Sequence, residues 1–436
     1  MTVRTGAQAA DTLCALGLDP AERSAKQALF DLALARFDAL GTGRPEHLFW
    51  VPGRLEVFGK HTDYAGGRTL VAAVPRGFAV AAGRRIGDAI HVLDAARDQS
   101  VVLTSRAPAA AASTAGWHRY IATIIGRLSR NFPGSAMGAN IVLASDLPRA
   151  SGMSSSSALM VGVAAALGRV ADLGSRPEWR TNIEDALDAA AYYACIENGK
   201  TFGTLAGDAG VGTQGGSEDH AAIVTGKPCH LSAFAFVPMR QIDSVLVPDD
   251  WRFVLTPSGV AADKTGGAMG PYNHLSRAAD VLVRLWNDTQ PPAASLAEAL
   301  ASSPGAVSCL RGLVSRSRVE GWPVSVISRR LDHYIHEDAR IPVAVEAFRH
   351  ADAAAVGRLS ADSQRDAEVL LANQVSETVA LVARARGLDA FAASSFGAGF
   401  GGSVWALVPR EAASRFAGAW RSGAFVASPS PPLSEL

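Results

Sequence analysis

The stretch Leu147-Pro-Arg-Ala-Ser-Gly-Met-Ser-Ser-Ser-Ser-Ala158 joins an apolar run, Gly138 to Ala144, to a run of small apolar residues, Ala158 to Ala171. The first run reads as a strand and the second as a helix, so the chain must turn sharply between them. Glycine and serine permit that curvature. Successive backbone N–H groups then face one concavity, reinforced by the positive end of the helix dipole, which is the geometry that holds phosphate. The serine hydroxyls add caps for free N–H groups, donors to phosphate oxygens, or ligands for magnesium. An ordinary N-cap needs one serine, whereas four follow Gly152 here. The turn is not a Walker A loop, because no Gly-Lys-Ser/Thr follows. Gly152, Ser154, Ser155, Ser156 and Ser157 are therefore the expected phosphate-cradling residues.

Two other segments stand out. Phe396-Gly-Ala-Gly-Phe-Gly-Gly-Ser403 precedes a β-like run, and glycine at this density suggests backbone closely approaching something. Gly53-Arg-Leu-Glu-Val-Phe-Gly-Lys-His-Thr-Asp-Tyr-Ala-Gly-Gly67 crowds Arg54, Glu56, Lys60, His61 and Asp63 between turns. A polyhydroxylated ligand needs donors and acceptors fixed in several directions, and this segment supplies both. Charge content alone would equally suit a solvated loop.

The rest of the chain frames these motifs. With 436 residues, 48% of them apolar, two joined domains are expected, and 41 basic residues balance 41 acidic ones. No global field points to nucleic acid or to an anionic membrane. The four cysteines, Cys14, Cys195, Cys229 and Cys309, are far apart with no CxxC spacing, so neither a zinc site nor a disulfide framework is expected. The N-terminus lacks the apolar run of a secretory signal, and the longest apolar stretch is too short to cross a bilayer. A cytoplasmic, monomeric protein acting on small molecules is the expectation.

Apolar spacing predicts an opening helix over Ala21–Leu40. Short strands follow at His47–Val51, Leu55–Phe58, Leu70–Val74 and Phe78–Ala82, and further ones at 90–93 and 101–103. Helices are expected over Trp117–Leu128 and Ile183–Glu197, with a glycine-rich loop from Thr201 to Gly216. From Trp251 the order restarts with a strand and several helices, and it ends in the strand Val404–Val408. The tail, Ser-Pro-Ser-Pro-Pro-Leu-Ser-Glu-Leu436, cannot continue a helix and reads as loosely held. Two α+β domains, residues 1–245 and 246–436, are expected.

Taken together, the three motifs resemble those of the GHMP kinases, and of galactokinases in particular. Galactokinases carry Gly-Arg-Val-Asn-Leu-Ile-Gly-Glu-His-Thr-Asp-Tyr, matched here by Gly53, Arg54, Gly59, His61, Thr62, Asp63 and Tyr64. Their loop Pro-x-x-x-Gly-Leu-Ser-Ser-Ser-Ala is met by Pro148, Gly152, Ser154, Ser155 and Ser156, and their Gly-Ala-Gly-Phe-Gly-Gly by Gly397 to Gly402. The resemblance implies an N-terminal domain like domain 2 of ribosomal protein S5 and a ferredoxin-like C-terminal domain, with the active site between them. It implies ATP and Mg2+ as cofactors and a sugar 1-phosphate as product, made from galactose or a related monosaccharide.

By the same resemblance, Asp219, in Gly216-Ser-Glu-Asp-His220, is the catalytic base, with Arg54 beside it. Ser155 and Glu197 hold the metal. Lys60, His61, Asp63, Gly216 and Tyr272 bind the sugar, with Tyr272-Asn273 matching a Tyr-Asn pair of galactokinases. Two departures sit side by side: Lys60 replaces the family glutamate and Glu56 replaces its asparagine. Either Lys60 meets a ligand carboxylate, so that the substrate is a hexuronic acid such as galacturonate, or it pairs with Glu56. The opposite signs of the two changes favour the pair. His220 replaces the family glutamine beside the base. Two rival readings are a non-catalytic sugar sensor and a kinase for a simple alcohol. The retained catalytic set argues against the first, and His-Thr-Asp-Tyr against the second.

Overall fold

The computed structural model describes residues 5–105, 116–148, 151–262 and 267–436. Arg149 and Ala150 of the serine-rich turn lie outside the described residues. Among the described residues twelve strands form two sheets. The larger contains β1 (His47–Phe58), β2 (Arg68–Arg84), β3 (Ala89–Asp94), β4 (Gln99–Thr104), β5 (Ala139–Ser145), β6 (His230–Ala235), β7 (Arg240–Leu246) and β12 (Ser434–Glu435). Its order is β12-β1-β2-β5-β3-β4. Pairing is antiparallel except between β3 and β5, and β6 and β7 extend the sheet from the first half of β2. The smaller, antiparallel sheet has the order β11-β8-β10-β9, from β8 (Trp251–Pro257), β9 (Ala392–Phe396), β10 (Ser403–Pro409) and β11 (Phe425–Ala427).

Alternation along β1 explains the layering, because successive side chains leave a strand on opposite faces. Leu48 and Trp50 join a core with Phe30 and Phe37 of the helix Arg23–Asp38, while Phe49 and Val51 join the main core on the other face. On that second face lie the helices Ser155–Val170 and Glu218–Thr225, both packed against β1 and β2. The helix Ser155–Val170 is buried along most of its length, which suits its alanine- and glycine-rich sequence: Gly162 lets Val51 and Val80 approach to van der Waals contact.

Three expectations are corrected. The four short strands predicted over residues 47–82 are two long ones, β1 and β2, that run through their turn-like residues. Pro52 stands opposite Gly77, where a Cβ would fall 2.3 Å from the Val51 carbonyl oxygen, so the missing side chain lets the pairing continue with a bulge. An additional helix, Gly6–Ala15, precedes the expected opening one. The C-terminal tail is not loose: Ser430 N–H donates to Ala73, Leu433 N–H to Ile223 and Leu436 N–H to Leu48, and β12 pairs with β1. Proline-rich chain cannot form a helix, but it can lie as an edge strand. No helix among the described residues is long and apolar enough to cross a membrane.

Candidate active site

The helix Ser155–Val170 starts three residues earlier than its apolar run, after Gly152 at φ +75° and Ser154 at φ +58°. Left-handed backbone at both positions folds the turn back on itself. The second glycine loop closes on this turn: Ser403 Oγ donates to the Ser151 carbonyl at 2.6 Å, and a Cβ on Gly397 would meet the Gly152 oxygen at 2.9 Å. Arg54 N–H donates to the Met153 carbonyl, 3.1 Å away. All three sequence motifs therefore meet at the start of one helix.

That helix start divides two cavities. Ser154, Ser155 and Ser156 line one of about 1540 Å3, counted to its open mouth, whose wall includes Phe78, Trp117, Tyr120, Leu143 and Leu159. An apolar, aromatic wall beside a concave run of backbone N–H groups suits a flat heterocycle joined to phosphates. The other cavity, about 480 Å3, is lined by Arg54, Glu56, His61, Asp63, Ser157, Glu197, Gly216, Glu218, Asp219, His220 and Tyr272 among others. Ser157, expected to cradle phosphate, lies on this second side. One residue further along a helix turns a side chain by about 100°.

The second cavity is organised around Arg54. Its Nε donates to Asp219 Oδ1 at 2.7 Å, and its Nη2 lies 2.5 Å from Asp219 Oδ1, 2.8 Å from Glu218 Oε1 and 3.8 Å from Glu56 Oε2. Burial works against the guanidinium, yet Asp219, Glu218 and Glu56 outweigh it and hold the Arg54 pKa above its usual range. Ser157 Oγ is 2.8 Å from Glu197 Oε2 and 3.2 Å from Asp219 Oδ2. His220 Nε2 lies 3.3 Å from Glu197 Oε2. It is thus Ser157, rather than the expected Ser155, that accompanies Glu197.

Asp63 binds the start of the second helix, Glu218–Thr225: its Oδ2 accepts from Glu218 N–H at 3.1 Å. A Cβ on Gly216 would fall 1.9 Å from that oxygen, so the position has no room for a side chain. His61, at φ +59°, sits with Nδ1 2.9 Å from the Tyr64 hydroxyl and Nε2 3.0 Å from the Ala398 carbonyl oxygen. Tyr272 packs on it with ring centroids 5.3 Å apart. Asn273 does not line the cavity. It holds the glycine-rich loop instead, accepting from Gln214 N–H and donating to the Gly212 carbonyl.

Lys60 is in neither place foreseen for it. Its ammonium is buried and donates to Ser363 Oγ at 2.7 Å and Ser394 Oγ at 3.0 Å. Glu337, whose pKa Lys60 and Arg340 pull down against burial, accepts from Ser363 and from Gly59 N–H. Lys60 does not line the cavity and makes no ion pair with Glu56. Its charge still reaches Glu56 through space and favours that carboxylate, with Glu337 opposing it. Glu218, which sequence reasoning passed over, is the partner that Glu56 finds. The signal for it was a carboxylate directly beside the expected base. Trp117 and Tyr120 were likewise missed, because a helix with aromatics is usually just core.

The chain matches the galactokinase galactose-binding signature over residues 35–84, the GHMP kinases N-terminal domain over 119–227 and the GHMP kinases C-terminal model over 344–425. A galactokinase of Haemophilus influenzae (strain PittGG) is 26% identical over 374 residues, which cover 84% of this chain and 86% of the relative. One of Roseiflexus sp. (strain RS-1) is 27% identical over 379 residues, 85% and 86% of the two chains. Among solved structures, Lactococcus lactis galactokinase complexed with galactose aligns with a TM-score of 0.75 at 21% identity, over 93% of this chain and 99% of that one. The meeting of the three motifs at one helix start and these likenesses along most of the chain lead to the same conclusion: the chain belongs to the GHMP kinase superfamily and is a galactokinase-like phosphotransferase with an alcohol group as acceptor.

Proposed function

We propose that the chain transfers the terminal phosphoryl group of ATP to the anomeric hydroxyl of galactose or a related monosaccharide, with Asp219 as general base. One observation carries this reading. The helix start at Ser155 separates the aromatic, serine-lined cavity from the polar one, and Asp219 lies just across it, 3.2 Å from Ser157 Oγ. A nucleotide tail and a sugar hydroxyl can meet only over that helix end.

Phosphoryl transfer depends on positioning and charge neutralisation rather than covalent participation. Backbone N–H groups and the hydroxyls of Ser154, Ser155 and Ser156 hold the phosphates against the helix N-terminus. Asp219 accepts the proton of the attacking hydroxyl, and Arg54, bonded to that carboxylate, keeps it ionised and aimed. His61, Asp63, Gly216 and Tyr272 surround the sugar.

Glu197 and Ser157 present a carboxylate and a hydroxyl 2.8 Å apart at the edge of the cavity nearest the serine turn. Magnesium favours one or two carboxylates completed by phosphate oxygens and water, so this donor set fits it, and no cluster of three or more acidic, histidine or cysteine ligands occurs among the described residues. When bound there, the ion neutralises charge on the phosphate oxygens. The same proposal includes two domains dividing near residue 245, a monomer, and a cytoplasmic location.

The Asp219→Asn variant tests the reading. Its kcat should fall by about three orders of magnitude, with ATP affinity within about twofold of the parent. Full turnover in the variant would remove Asp219 as the base.

A further inference from the structure

Glu56 and Glu218 take no part in the mechanism above, yet both line the polar cavity. They are 1% and 7% exposed. Glu218 Oε1 and Glu56 Oε2 face Arg54, but Glu218 Oε2 and Glu56 Oε1 are buried with no hydrogen-bond donor among the described residues. Arg54 is the only lysine or arginine among the described residues that line the cavity, against five carboxyl groups: Glu56, Asp63, Glu197, Glu218 and Asp219. Magnesium at Glu197 arrives with phosphate charge of its own and does not correct this excess. Lys60, outside the cavity, favours the ionised Glu56 through space, and Glu337 beside it opposes that effect.

Two buried carboxylates at close quarters cannot both stay ionised without a compensating positive group. The two carboxylates flank one guanidinium nitrogen, Arg54 Nη2, at 2.8 and 3.8 Å, and a proton shared between them relieves their repulsion. Burial, and then the charge of Glu56, push the Glu218 pKa well above the usual carboxylate range despite Arg54. The site thus takes up either a proton or a ligand cation. A hexose hydroxyl can donate one hydrogen bond to it but brings no charge. A hexuronic acid adds a further carboxylate and is repelled.

Building on the sugar-kinase reading, we infer that the Glu56–Glu218 pair is a specificity subsite for an ammonium group, and that the substrate class is an amino sugar. The ammonium replaces the shared proton, donating to Glu56 Oε1 and Glu218 Oε2. Because Glu218 adjoins Asp219 in sequence and both are held by Arg54, the amine belongs near the accepting hydroxyl, as on the carbon next to it.

The experiment is ADP release by the full chain with ATP and Mg2+ at about pH 6.5, where a sugar amine is protonated. The acceptors are galactose, 2-amino-2-deoxygalactose, its N-acetyl derivative and galacturonate. The amine should exceed galactose in kcat/KM by about tenfold or more, acetylation should remove the gain, and galacturonate should be the poorest. In Glu218→Gln the ratio of amine to galactose should drop by about tenfold. The wild-type ratio reads the inference even if that variant fails to fold. Turnover of galactose with no gain for the amine, or galacturonate equal to the amine, overturns the inference and leaves the kinase reading standing. No turnover of any of the four overturns both.

Discussion

Lys60 is 1% exposed, and its side-chain nitrogen donates to Ser363 and Ser394 beside Glu337. Restoring the family glutamate there does not simply restore a sugar contact. Lys60→Glu places a carboxylate against Glu337, whose remaining positive neighbour is Arg340. An uncompensated buried charge costs about 3–5 kcal/mol. Chemical denaturation of Lys60→Glu should show a loss of that order, with no gain in galactose preference. A stable variant that turns toward galactose would return Lys60 to the sugar pocket. The residue also marks how far sequence could be read. The charge inversion at position 60 was visible, and so was its companion at Glu56. The partners were not, since Glu337, Ser363 and Ser394 lie about 280 to 330 positions away and carry no motif. By contrast, Arg54 and Asp219 were legible despite a separation of 165 residues, because each sits inside a segment whose glycines and polar residues had already singled it out.

Two glycine loops, separated by about 245 residues, form one element of the site. Gly152 and Gly397 adopt φ of +75° and +85°; a side chain on Gly397 would meet the Gly152 backbone, and one on Gly152 the backbone of Phe396 and Gly402. Ser258 N–H donates to the Gly402 carbonyl at 2.7 Å, tying the end of β8 to the second glycine loop, which Ser403 Oγ in turn bonds to Ser151 of the serine-rich turn. Gly397→Ala should therefore cost about 1–3 kcal/mol, from the left-handed backbone and the contact with Gly152. The Cβ presses on the turn proposed to hold phosphate, so KM for ATP should rise by about tenfold. Steady-state kinetics beside a melting curve separates the two effects, and an unchanged KM would mean that the loops touch without positioning each other. Glycine density announced both loops in the sequence. That they close on one another was not readable, because it depends on how the smaller sheet sits over the larger one. Pro52 and Gly77 show the same limit: each looks like a turn alone, and only their pairing makes a continuous strand.

At the scale of the whole molecule, the last seven residues join parts of the chain that carry the proposed catalytic groups, Arg54 and Asp219. Leu433 N–H donates to the Ile223 carbonyl at 2.7 Å, one helical turn beyond Asp219. Ser430 is bonded to β2, and β12 covers the free edge of β1, the strand that bears Arg54. Glu435 adds contacts to Arg169 on the serine-started helix and to His47. Deleting residues 430–436 exposes a sheet edge and leaves several backbone groups without protein partners. At a net value of about 1 kcal/mol per hydrogen bond, the loss is about 3 kcal/mol, which lowers Tm by roughly 5 °C. Because the helix that carries Asp219, the proposed base, loses an anchor, kcat should fall about fivefold while KM for the sugar changes less. Calorimetry and initial rates on the truncated chain measure both. A truncated protein with the parent's Tm and kcat would mean that the tail merely lies along the sheet and does not brace the helix that carries Asp219.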